Sequence, residues 1–350
     1  MFDLDAPGRK TANACAMLLS PGKAKIAALP RKDANEMLVA GDIAALVKAK
    51  WEAKEYRPDG IVTGEDIRQC LQKTVEYGLS YPWETLTHIT YGIRTSELMA
   101  FGAGTGMGKS EFFKEIAAHL IFAHQVNVGM LMLEEQPTHT WKGIMSKWAS
   151  QLFHLPDNGW TEEEFEAAND TLLKTKRLFL YDSFGYTDYD VIKSNIRYLA
   201  VSQGCRYIFL DHITALVSGD RDGDERRLLD FIMTDLASLV RELDICVFFI
   251  SHLTSPTDGK PHEEGGRVKV NQFRGSRSIG QWSSFMFGIE RNQQHPDPAK
   301  RSQSLVRCLK DRYSGHGLGE TFLLNYDRVT GRLIPAEFEE DEADSDENNF

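Results

Sequence analysis

The sequence predicts an α/β fold built on a mostly parallel central sheet. Three observations predict it. The stretch GAGTGMGKS, Gly102 to Ser110, sits between an apolar run (Leu98 to Phe101) and an amphipathic run that starts at Glu111. Strand, glycine-rich turn and helix in that order are the setting of a phosphate-binding loop. Apolar runs then alternate with helical patterns as far as Pro335. Several are continuous, as expected of parallel strands covered on both faces. Finally, carboxylates close two of these runs, Glu134 and Glu135 after VGMLML and Asp211 after RYIFL. That is the sheet edge where open α/β folds bind ligands.

The chain has 350 residues, 42% of them hydrophobic, enough for one large domain and a smaller piece. Residues 1–41 read as a helix, a short strand and a helix, too little for a closed domain. Residues 42–91 read as mostly helical. Within them TGEDIRQCLQKTVEYG has Thr63 as N-cap, an apolar stripe of Ile67, Cys70, Leu71 and Val75, and Gly78 at the stop. The pattern favours a helix packed on its own domain over one docked on a neighbouring subunit. Residues 92–335 form the α/β domain. Its strands are expected at Leu98–Gly102, Val126–Leu133, Leu178–Tyr181, Tyr207–Leu210, Ile245–Ser251, Ser284–Ile289, Ser304–Leu309 and Thr321–Asn325. Thr161 and Glu164 form a capping box that opens the helix TEEEFEAANDTLLKTKR.

Residues 336–350 form an acidic tail, expected to be disordered. The formal net charge is −11, but the segment Glu337–Phe350 carries eight acidic residues and no basic one. Without it, 43 acidic residues face 40 basic ones. A near-neutral body can hold a local basic groove, so composition neither supports nor excludes nucleic acid. Five scattered cysteines with no CxxC pair suggest neither zinc nor disulfides and fit a cytoplasmic protein. No apolar run approaches membrane-spanning length.

The loop chemistry follows from its residue types. Gly104, Gly106 and Gly108 let backbone N–H groups wrap phosphates, Lys109 reaches the β- and γ-phosphates, and Ser110 holds Mg²⁺. One position departs from the G-x-x-x-x-G-K-[ST] pattern: Ala103 stands first, with Gly102 just before it. Asp211 suits a metal partner. Glu134, expected on the strand beside the loop strand, is placed to orient a water. His252, at the end of VFFISH, is the candidate γ-phosphate sensor. Further on lie Gln281, Arg291 and Arg312. They read either as polar loops and strand ends or as subunit-boundary parts: Gln281 near the phosphates, Arg291 over the base, Arg312 as an arginine finger. The residues alone do not choose.

MLEE, YDSF, LDHIT, DERR, HEEG, RGS, ERNQQ and NYDRVTG follow one another along the chain. In that order and spacing they resemble the helicase half of the T-seven-type phage primase-helicases, with mitochondrial Twinkle and DnaB more distant. The resemblance covers nearly the whole length. It implies a RecA-like core and an NTP-driven replicative helicase that moves 5′-to-3′ on single-stranded DNA as a homo-hexamer or heptamer. ATP or dTTP with Mg²⁺ would be the substrate. It implies Glu134 as catalytic base, Asp211 as metal partner, His252 as sensor and Gln281 as the link to the DNA loops. Arg291 and Tyr326 would sandwich the base, and Arg312 would act on the neighbour's site. The loop Leu253–Val268, with Lys260, and the loop around Arg274 would line a DNA channel. Thr254 and Asp258 stand where the family carries lysines. FDLDAPGRK resembles the DxD motif of a Toprim fold, with Asp3 and Asp5 as its carboxylates. The family's zinc-binding segment and Toprim glutamate strand do not precede it, so residues 1–41 read as a truncated remnant and no priming is expected. The family's acidic, Phe-terminated tail contacts the replicative DNA polymerase, which makes Phe350 a candidate anchor. The competing readings are a RecA-type DNA-stimulated ATPase and a scaffold without unwinding.

Overall fold

A computed structural model describes residues 4–20, 23–57, 61–68, 71, 76–156, 158–183, 187–217, 225–257 and 259–337. The chain divides into two compact units, Met1–Glu76 and Tyr77–Phe350.

The smaller unit holds helices α1 (Ala6–Met17), α2 (Ala34–Val39), α3 (Ile43–Trp51) and α4 (Gly64–Arg68), with strands β1 (Lys25–Ile26) and β2 (Lys54–Glu55). The strands pair antiparallel, Lys25 opposite Glu55. Asp5 caps α1 by accepting the Gly8 N–H at 2.8 Å. Its carboxylate therefore serves a helix end. Asp3 lies outside the described residues, as do Cys70 and Val75 of the expected α4 stripe. Ile67 and Leu71 of that stripe are exposed.

In the larger unit α5 (Glu84–Thr90) precedes β3 (Glu97–Ala103) and α6 (Lys109–Phe122). Then come β4 (Val128–Met132), α7 (Pro137–Ala149), α8 (Glu162–Thr175), β5 (Leu178–Leu180) and α9 (Tyr189–Ser202). β6 (Tyr207–Asp211), α10 (Glu225–Leu243), β7 (Cys246–His252), α11 (Ser276–Trp282) and β8 (Phe285–Glu290) follow. β9 (Gln303–Asp311), β10 (Thr321–Tyr326) and β11 (Leu333–Ala336) end the unit. The capping box at Thr161 and Glu164 opens α8.

The nine strands form one sheet in the order β11-β10-β9-β8-β3-β7-β6-β4-β5. From β5 to β8 all pairs are parallel, and β9, β10 and β11 add on antiparallel. All eight expected strands are present. β11 carries no such signal in the sequence because Pro335 interrupts it, which an edge strand tolerates.

Side chains alternate between two cores, as the pleat requires. Met99, Phe101, Phe209, Phe248 and Phe287 pack with α6 residues Phe112, Phe113 and Ile116 on one face. Leu98, Ala100, Leu210, Val247 and Phe249 pack with α9 and α10 residues such as Ile192, Ile196, Ile232 and Leu236 on the other. With both faces covered, the strand ends are left to build the site.

One expectation is corrected. β4 is not the neighbour of β3, because β7 and β6 fill the two places between them. Strand neighbours are set by long-range pairing, and here two later strands insert beside the loop strand.

Candidate functional site

The register aligns the strand tips. Ala103 of β3 lies opposite His252 of β7 and Ile289 of β8, while Asp211 of β6 lies opposite Met132 of β4. The phosphate loop, Asp211, Glu134 and His252 therefore share one edge. Although β4 stands three places from β3, the Leu133 N–H donates to the Asp211 carbonyl at 2.6 Å. This bond carries the chain over β6, and Glu134 reaches the tips of β6 and β7.

Gly106 and Gly108 have φ of 70° and 84°, in the region where a side chain would be strained. Gly108 caps α6, so the loop amides sit at a helix N-terminus, a ready anion site. The shifted glycine also has a cause. Ala103 is still in strand conformation, whereas a Cβ at Gly102 would meet Phe273 at 2.6 Å and Leu253 at 2.7 Å. Glycine is needed one position early because the base of the neighbouring loops presses there.

Lys109 Nζ donates to the Gly104 carbonyl at 3.0 Å and the Ala103 carbonyl at 3.3 Å. Burial lowers its pKa against the pull of Asp211, Glu134 and Glu263. Ser110 Oγ donates to Asp211 Oδ2 at 2.5 Å. Asp211 is 2% exposed, and burial pushes its carboxyl up to about 6. Its other oxygen, Oδ1, is buried without a hydrogen-bond partner among the described residues. An orphaned buried carboxylate oxygen is costly. Two hard oxygen donors side by side, one unsatisfied, fit Mg²⁺.

Glu134 is half exposed, and its Oε1 lies 3.0 Å from His212 Nε2 and 3.7 Å from His252 Nε2. The two imidazoles meet edge-on with centroids 4.0 Å apart. Burial, then the neighbouring His252, lowers His212 to about 4. Burial, then Lys109, lowers His252 as well.

Arg291 and Tyr326 line one cavity of about 180 Å³ with Met107, Gly108, Glu111 and Arg328. The cavity opens directly beside the phosphate loop. Arg291 is held by its Nε donating to the Arg301 carbonyl at 2.7 Å.

The two loops expected on DNA are tied to the same edge. The Arg274 N–H donates to the His252 carbonyl at 3.0 Å, and the Thr254 N–H to the Gln272 carbonyl at 2.7 Å. Arg274's guanidinium pairs with Glu225 at 2.7 Å. Lys260 is exposed, and Asp258 lies outside the described residues. Glu263 accepts the Thr105 N–H of the phosphate loop at 3.2 Å, and Gln293 Nε2 donates to the Thr105 carbonyl at 3.0 Å.

Gln281 and Arg312 lie elsewhere. The Ser284 N–H bonds the Leu98 carbonyl and the Arg312 N–H bonds the Ser284 carbonyl, so both residues sit at the opening end of β3. Seven strand residues separate that end from the loop, roughly 20 Å at the usual rise. Gln281 is thus not near this chain's own phosphate loop. The exposed Arg312 guanidinium donates to the Gln281 carbonyl. Arg94 lies 3.7 Å over the Tyr313 ring and Asp311 accepts the Tyr313, Ser314 and Gly317 N–H groups, which stiffens the Arg312 loop.

Three participants carry little signal in the sequence. His212 follows Asp211 directly, and Glu263 stands in HEEG, so their signal in the sequence is adjacency to motif residues alone. The third is a buried ion network under the loop helix. Lys114 joins Glu111 and Glu135, and Lys147 joins Glu111 and Glu115. Arg332 of the segment before β11 closes it on Glu115 at 2.6 Å.

Comparisons with known proteins agree with this geometry. The DnaB-like helicase C terminal domain family matches residues 78–330. The chain is 33% identical over 355 aligned positions to the DNA helicase/primase of Enterobacteria phage T3, covering 99% of this chain and 62% of that protein. It is 22% identical over 259 positions to a probable plasmid replicative DNA helicase of Chlamydia psittaci, covering 73% of this chain and 55% of that protein. The chain thus spans 55–62% of the length of these relatives. Among solved structures, an isolated ATPase domain superposes with a TM-score of 0.62 at 18% identity, over 87% of this chain and 99% of that one. A DnaB-like replicative helicase studied for its interactions with primase gives 0.62 at 16% identity, over 87% and 74%. At these identities the structures speak to the fold, which is the RecA-like ATPase core.

Proposed function

The chain belongs to the DnaB-like helicase C-terminal domain family, and from that premise we propose that it is the motor of a replicative DNA helicase. In this reading it assembles as a hexameric or heptameric ring, hydrolyses ATP or dTTP at subunit boundaries, and moves 5′-to-3′ on single-stranded DNA. The observation that carries the proposal is the split of the site between two sheet edges. The phosphate loop, Asp211, Glu134 and His252 share one edge, while Arg312 is roughly 20 Å away at the other. A cation that far off serves hydrolysis only on another copy's nucleotide.

The chemistry is positioning and charge stabilisation. Lys109 and the loop amides hold the phosphates, and Arg291 and Tyr326 flank the base. Glu134 accepts a proton from the attacking water as its oxygen bonds the γ-phosphorus and the bond to the bridging oxygen breaks. Ser110 and Asp211 would hold Mg²⁺, which when bound neutralises β- and γ-phosphate charge. His252 senses the γ-phosphate and shares a peptide hydrogen bond with Arg274, a short route to the DNA loops. Gln281, bonded to Arg312, reports across the boundary. The acidic tail, whose residues 338–350 lie outside the described structure, tethers a replicative DNA polymerase through Phe350.

Strand displacement on a forked duplex, run with ATP and dTTP in turn, tests the proposal. Unwinding that depends on a 5′ single-stranded arm and is lost in Glu134→Gln is expected. DNA-stimulated hydrolysis without unwinding would favour a RecA-type ATPase. Absence of any DNA stimulation would favour a scaffold. Deleting Glu337–Phe350 should weaken binding to the cognate polymerase at low salt and leave hydrolysis intact.

A further inference from the structure

Glu134 poses a problem for its assigned task. Its side chain is 53% exposed, on a strand tip. A free glutamate there samples many rotamers. A base must hold hydrogen-bond reach to its water, and a misplacement of about 1 Å costs about 10²-fold in rate. Something has to fix the carboxylate.

We propose that His212 is the positioning residue for Glu134, holding Oε1 with its Nε2–H so that Oε2 faces the water. The inference rests on Glu134 being the base. His212 is itself immobile, 7% exposed, and caps the 3₁₀ turn Ile213–Leu216. Its Nδ1 accepts the Ala215 N–H at 3.0 Å, and Thr214 Oγ1 lies 2.6 Å from the same nitrogen. A nitrogen that accepts a backbone N–H carries no proton of its own. In the neutral ring the proton is then on Nε2, 3.0 Å from Glu134 Oε1. The fold thus fixes the tautomer, and the tautomer fixes the direction of the bond. His252 Nε2, at 3.7 Å, is too far to do the same.

A competing occupant is a metal ion, because Glu134, His212 and His252 offer ligand atoms within 4.8 Å of one another. Ligation through His212 Nε2 would move the proton to Nδ1, facing the Ala215 N–H. Donor would then meet donor at Ala215, so the cap opposes the metal. The placement also has a consequence. Asp211 and His212 are consecutive, so one strand end sets both the metal partner and the orientation of the base.

The test is hydrolysis of Mg·ATP by the full chain, with and without single-stranded DNA, for His212→Asn, His212→Gln and Glu134→Gln. Asparagine keeps an acceptor for the Ala215 N–H but does not reach Glu134. Glutamine places an amide N–H near the Nε2 position. His212→Asn should lower kcat about 10²-fold, with KM and melting temperature close to wild type. His212→Gln should recover much of that loss. In a Glu134→Gln background, His212→Asn should change the residual rate little, since the two residues act as one unit. A kcat for His212→Asn within roughly threefold of wild type, while Glu134→Gln is inactive, overturns the proposal. So does a loss in the Glu134→Gln background equal to that in wild type, or a kcat loss that follows a fall in melting temperature in both histidine variants. Normal hydrolysis by Glu134→Gln would instead remove the base reading on which the proposal rests. Zn²⁺ inhibition that His212→Asn abolishes would favour the metal.

Discussion

Lys114→Met removes the centre of the buried ion network and leaves its stem. The ammonium is 1% exposed, 3.1 Å from Glu111 and 3.0 Å from Glu135. Burial opposes its charge, but the two carboxylates outweigh it and hold Lys114 above its ordinary value. Breaking a buried pair typically costs about 3–5 kcal/mol, because a carboxylate is stranded. Here neither is fully stranded. Glu111 keeps Lys147 at 2.7 Å, and Glu135 keeps Thr140 at 2.5 Å and His139 at 2.8 Å. The low end, about 3 kcal/mol, is therefore expected. In urea, a slope near 3 kcal/mol/M makes that a midpoint shift of about 1 M. Tryptophan fluorescence is a suitable probe, since five of the six tryptophans lie in the larger unit. Lys174→Met is the control: its pair with Asp170 is 76% and 59% exposed and should cost less than about 0.5 kcal/mol. The network also has an acid signature. Burial raises Glu111, but Lys114 and Lys147 overcome it and hold it down to about 2 from an ordinary 4.5. A depressed carboxyl stabilises the fold above its unfolded value, and that stability is lost as pH falls from about 4.5 towards 2. Lys114→Met should flatten this acid loss. A midpoint shift no larger than that of Lys174→Met, with an unchanged acid profile, would refute the reasoning.

Three further outcomes follow from the site. Arg312→Ala and Lys109→Ala should each be inactive, since an arginine finger is worth roughly 10³–10⁵ in rate, yet rings mixed from both should regain hydrolysis. No recovery in rings shown to co-assemble would place Arg312 in a structural role. Single-stranded DNA affinity should fall with salt at about −0.7 per phosphate neutralised, and Lys260→Ala should reduce that slope. Arg274→Ala should also uncouple hydrolysis from DNA, and unchanged slopes in both would remove these loops from the channel. Gly102→Ala should lower stability by about 1–3 kcal/mol, because its Cβ overlaps Phe273 and Leu253, and DNA stimulation should suffer with it. A melting temperature equal to wild type would show that the two side chains yield freely.

Much of this protein was legible from residue order. The loop declares itself in nine residues, because phosphate binding needs backbone amides, glycine dihedrals, a lysine and a hydroxyl in fixed succession. Several of the eight strands declare themselves because two-sided burial demands continuous apolar runs. Asp211, Glu134 and His252 were visible as polar residues ending such runs. Tyr326 became a candidate only through the family resemblance, which also chose between the two readings of Arg291, and the fold brings both to one cavity across 35 residues.

What only the tertiary structure decided is adjacency. Chain order puts Glu134 on the strand after the loop, yet β6 and β7 stand between them. It puts Gln281 and Arg312 near neither loop nor each other, yet they meet at the far edge of the sheet. His212 passes as a strand terminator until the Ala215 N–H fixes its proton on the nitrogen that faces Glu134. Local chemistry is written in short windows because dihedrals, capping and burial act over a few residues. Strand order, tautomer and buried charge pairing depend on distant partners, such as Arg332 on Glu115 across 217 residues. No window of the sequence contains both halves of such a contact.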